Sequence, residues 1–139
     1  MSYSAPVRTV HAKEPDQVIW DEIGDLSGIE VLYQNVLVAV YERKEGMTAG
    51  GIIAPAKVFE EDQYQSKVGL VLKVGPQAFV DQPDMKYPVF FHGYAAKPGD
   101  WVVYKASNAM ALLIGLRKCH LIADVYLTKM RIAHPDLVY

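Results

Sequence analysis

The chain has 139 residues, 51% of them hydrophobic and 22% charged, with a net charge of −2. That is one domain's length with ample apolar material for a core. No basic stripe suits a nucleic-acid backbone, and the lone Cys119 rules out an internal disulfide and fits a reducing compartment. The longest apolar stretch, Ala109–Leu116, falls far short of the about 20 residues of a membrane helix.

Residues 1–29 read as an N-terminal extension. They carry isolated apolar residues and no sustained period, and lack the basic-then-apolar pattern of a secretory signal. Val18 to Gly24 reads as one or two helical turns with Trp20 and Ile23 on one side. The extension reads as a disordered leader or as an arm that packs on a neighbouring subunit through Trp20 and Ile23; the cost of leaving Trp20 in water favours the arm.

Residues 30–139 read as a β-rich domain. Val36-Leu-Val-Ala-Val-Tyr41 is dense in β-branched and aromatic residues, and a strand of roughly 33–43 is expected there. A second strand, Val68 to Val74, ends at Gly75. Between them lies a connection of about 23 residues, longer than the roughly 12–15 at which loops are usually functional or disordered. It holds Thr48-Ala-Gly-Gly-Ile-Ile-Ala54. Gly50 and Gly51 break strand structure, and Ile52 and Ile53 follow with no evident core to enter. Pro55 cannot donate to a ladder, and Glu60 to Ser66 is polar. The segment reads as a long mobile loop with an apolar tip suited to a partner's groove.

A second long connection runs from Gly75 to Gly99 and contains Phe79, Tyr87, Phe90, Phe91 and Tyr94. It reads as a protruding hairpin or an ordered flap; Phe79, Tyr87, Phe90 and Phe91 are its expected contact residues. Val89-Phe-Phe91 within it reads as a short strand. Lys97-Pro-Gly-Asp100 is a turn opening the strand Trp101–Tyr104. Ala109–Ile114 and Cys119–Ala123 are further strands. Val125–Arg131 reads as a last strand, with Val125 and Leu127 on one face and Tyr126, Thr128 and Met130 on the other. Short strands punctuated by Gly and Pro indicate an all-β small barrel or sandwich.

The residues that carry chemistry are scattered. No glycine loop opens a helix, so no phosphate or dinucleotide cradle is expected. His11, His92, His120 and His134 lie apart, and the adjacent Cys119 and His120 would point to opposite faces of a strand. The acidic run Glu60-Glu-Asp62 lies in the polar loop, where nothing desolvates a carboxylate. No catalytic residue, cofactor or metal is assigned, and a binding or assembly protein is expected in place of an enzyme.

The order of the motifs resembles the GroES co-chaperonins. The residues are Arg43-Lys-Glu45, Ala49-Gly-Gly-Ile-Ile53, Gly69 to Gly75 and Lys97-Pro-Gly-Asp-Trp-Val-Val103, and the likeness spans roughly 33–130. It implies a GroES-like β-barrel in a seven-membered homo-oligomeric ring. By position, Gly50 and Gly51 would be the hinge of the mobile loop. Ile52, Ile53 and Ala54 would be the tip that docks on a GroEL-like chaperonin and caps its chamber. The insertion at about 76–96 falls where that family has a roof hairpin. The implied location is the cytoplasm, or the host cytoplasm for a phage-encoded protein.

Several features depart from that pattern. Ala54 stands where the family usually carries a larger aliphatic residue, the leader has no counterpart, and the insertion is longer and more aromatic. Such departures look like the divergent GroES-like proteins of bacteriophages. A second expectation follows: a virion structural protein that decorates the capsid, with the major capsid protein as its partner.

Overall fold

The computed structural model describes residues 13–42 and 66–138. One helix, α1 (Pro15–Ile23), precedes six strands: β1 (Asn35–Val40), β2 (Ser66–Val74), β3 (Trp101–Lys105), β4 (Ala109–Ile114), β5 (Arg117–Ala123) and β6 (Met130–Ile132). They form one antiparallel sheet in the order β4-β5-β1-β2-β3-β6. The all-β expectation is met among the described residues. β1 and β2 sit at its centre, and both are buried over nearly their whole length, with only their first residues and the end of β2 less covered.

That burial explains why β1 reads as a continuous apolar run: both of its faces meet core. Leu37, Ala39 and Tyr41 pack on one side with Leu70, Leu72, Trp101 and Cys119. Val36 and Val38 pack on the other with Val71, Val102, Tyr104 and Ile122. Cys119 and His120 do face opposite sides, as neighbours on a strand must.

Each face is covered by a different part of the chain. On the first, α1 inserts Ile19 and Ile23, with Trp20 partly buried beside them. Pro15 occupies the start of the helix, where its missing N–H costs nothing. Gly24 ends it with φ 71°. The next segment is pinned to β2 by Lys73, whose Nζ donates to the carbonyls of Leu26 (2.7 Å) and Ile29 (2.6 Å). Ile23 is thus a core residue of its own chain, 8% exposed, and Trp20 leans on the same core. Ile23 is therefore not on the surface, whereas Trp20 keeps part of its surface exposed.

The insertion covers the second face. Phe79 and Phe91 are core residues there, with Ala96 and the partly buried Tyr94. Phe79 stands edge-on to both Phe91 (centroids 5.5 Å apart) and Tyr94 (5.3 Å). The expected strand Val89–Phe91 is only an isolated bridge, Val89 to Gln82. The Phe91 N–H turns away to the Asp81 carboxylate at 2.8 Å, so no ladder can propagate.

The expected strand Val125–Arg131 is also corrected. Residues 124–127 form a 3-10 turn, and β6 begins only at Met130. The turn buries Asp124 and Leu127, three residues apart, in place of the alternating set Val125 and Leu127. Asp124 is held by the Phe79 N–H at 2.9 Å, and the Leu127 carbonyl accepts from the Tyr94 hydroxyl at 2.9 Å. Those long-range bonds take the backbone away from a sheet.

Candidate partner-binding site

β1 and β2 run antiparallel, so their ends flanking residues 43–65 lie side by side. The Tyr41 N–H donates to the Val68 carbonyl at 2.8 Å, which holds the two arms together. Arg117 Nη2 donates to the Val40 carbonyl at 2.8 Å, and its Nη1 reaches Glu22 of α1 at 2.9 Å. Tyr41 packs edge-on against Trp101, centroids 5.6 Å apart, and its hydroxyl donates to Asp136 at 2.5 Å. The sequence gives the segment's two ends; the brace from α1, β5 and the C-terminal 3-10 turn (Pro135–Leu137) has no local signal, because each bond spans many residues.

Gly50, Gly51, Ile52, Ile53 and Ala54 lie outside the described residues. Of the other expected contact residues, Ile23, Phe79 and Phe91 are spent on their own core. Tyr87 and Phe90 are exposed, at 76% and 52%, alongside Val80 and Met85 of the same insertion. Anchor and display thus alternate along this segment: Phe91 points in and Phe90 points out.

The described part offers little reactive chemistry. No three His, Cys, Asp or Glu side chains come together there as a metal-binding group. Burial raises the Cys119 thiol pKa, which works against thiolate formation. His120 is buried against Tyr104, and burial drops its pKa to about 4, so the ring is neutral at ordinary pH. No helix among the described residues is long and apolar enough to cross a membrane.

Residues 28–125 match the family model described as Chaperonin 10 Kd subunit. The chain belongs to this family of GroES-like co-chaperonins. The matched span takes in β1 to β5, residues 43–65 and the insertion. α1, β6 and the last 3-10 turn lie beyond it. No individual curated protein matches the chain.

Two glycines of the co-chaperonin motif have a physical reason. A Cβ on Gly69 would sit 2.9 Å from Tyr104 Cε1 and 3.2 Å from Val38 Cβ. A Cβ on Gly75 would press on the backbone oxygens of Tyr33, Asn35 and Leu32. Both positions lack room for a side chain. Pro98-Gly99 in the next motif makes a turn with Gly99 at φ 97°, closed by the Asp100 N–H on the Lys97 carbonyl at 3.0 Å.

Proposed function

We propose that the protein is an oligomeric co-chaperonin that caps a GroEL-like chaperonin in the cytoplasm through residues 50–54. Gly50 and Gly51 are the hinge, and Ile52, Ile53 and Ala54 make the apolar contact. Family membership supports this, and one structural observation carries it furthest. The Tyr41–Val68 bond brings both ends of residues 43–65 to one point on the sheet, the arrangement of a segment presented to a partner. A segment that orders on docking binds weakly, and several copies on one assembly restore avidity while allowing release. β4 and β6 are the edge strands of the described sheet, and contacts between copies are assigned to those edges. No covalent step is needed for such work.

The test is Ile52→Asp together with Ile53→Asp. Binding to a purified GroEL-type chaperonin is expected to vanish while the sedimenting size of the protein stays that of wild type. Binding that survives the double substitution removes the docking role. Recovery of the protein in purified virions at capsid-like copy number would replace capping with capsid decoration.

A further inference from the structure

The two parts of the chain that lie outside the family match meet at the foot of residues 43–65. Tyr41, 7% exposed, ends the buried run of β1. Its hydroxyl donates to Asp136 Oδ1 at 2.5 Å. The Asp136 side chain is 0% exposed. The Asp136 N–H donates to His134 Nδ1 at 3.1 Å. Nε2 faces Glu14 Oε2 at 3.0 Å, in the residue just before α1. A relay of four polar residues therefore joins the C-terminal segment and the start of the helix to the end of β1.

The links differ in strength. Glu14 is 69% exposed, so water screens its pairing with His134. Tyr41 to Asp136 is short, buried and made to a carboxylate, the kind of hydrogen bond that holds a position.

We propose that Asp136 is a positioning residue for partner binding: by gripping Tyr41 it fixes where the chain leaves the sheet at Glu42. The role rests on the reading that residues 50–54 dock on a chaperonin. A segment that starts from a fixed root has less freedom to lose on docking, and that saving recurs in every copy of an assembly. Asp136 lies beyond the matched span, which ends at residue 125.

The experiment compares the full-length wild type with Tyr41→Phe, Asp136→Ala, the double variant and Asp136→Asn. Amide exchange is followed at Tyr41, and at Cys119 in β5 as a global reference. Binding to a purified GroEL-type chaperonin is measured alongside. Tyr41→Phe and Asp136→Ala are each expected to speed exchange at Tyr41 about tenfold, with little change at Cys119, and to weaken chaperonin binding. The loss in the double variant is expected to fall clearly short of the sum of the two single losses. Asp136→Asn keeps an oxygen acceptor but gives up the charge, so its effects should fall between those of wild type and Asp136→Ala. Unchanged exchange at Tyr41, equal acceleration at Cys119, or effects that simply add would overturn the grip. Faster exchange at Tyr41 with undiminished binding would overturn the positioning role. A wild type that binds no chaperonin overturns the docking reading and the positioning role with it, while the exchange data still decide whether the grip exists.

Discussion

The Tyr104 hydroxyl and His120 Nδ1 lie 2.7 Å apart inside the protein, with their rings edge-on at 82°. Tyr104 is on β3 and His120 on β5, with β1 and β2 between them. Three strand spacings on a flat sheet are about 14 Å. The two side chains meet because the sheet curls toward this face and because Gly69, on β2, leaves the path open. The contact is a direct sign of the barrel-like curvature.

Acid should weaken the protein through His120. Burial first, then the charges of Lys118 and Lys67, lower its pKa from 6.5 to about 4 in the fold. The unfolded chain takes up that proton earlier as pH falls. The neutral ring's contribution is therefore complete above pH 6.5 and drains as pH drops toward 4, by at most about 1.4 kcal/mol per unit. The difference in Tm between wild type and His120→Gln should shrink over that window. A difference that stays constant from pH 7 to 4 would contradict the assignment.

Gly69→Ala should cost about 1–3 kcal/mol, because a methyl there must push the Tyr104 ring aside. Gly75→Ala should cost more, since its neighbours are backbone oxygens that cannot swing away. Urea unfolding of the two variants gives the order directly; Gly69→Ala proving the worse would reverse the argument.

Ile19→Ala should destabilise by about 2–4 kcal/mol, because the side chain is 1% exposed in the core under the sheet. Val18→Ala, beside it and 36% exposed, should change little. Together they test whether α1 is part of the folded domain. Equal, small shifts in Tm would mean that the helix is a detachable arm.

Ala54→Leu should strengthen chaperonin binding if residues 52–54 form the apolar contact. Added burial is worth about 1–2 kcal/mol for each copy engaged. Titration calorimetry with a purified chaperonin reads the gain, and an unchanged or weaker affinity would place Ala54 outside the contact.

The sheet was largely legible because its strands are marked locally. β1 and β2 are dense in β-branched residues, Gly75 closes β2, and Pro98-Gly99 forces the turn before β3. Residues 124–127 were not legible: Val125 to Met130 alternates like a strand, and only Phe79 and Tyr94, far away in sequence, bend it into a turn. The roles of Phe90 and Phe91 were equally hidden, since two adjacent phenylalanines look alike until one of them has a core to enter.

By itself, the order of strands, glycines and turns determined the β-rich class and carried the resemblance to the family, because strand propensity and the absence of a Cβ act within a few residues. Only the tertiary structure decided which aromatics are core, that α1 belongs to the sheet, and that Asp136 grips Tyr41. Those outcomes depend on which distant surfaces meet, and burial and hydrogen bonding between them have no short-range signature in the chain.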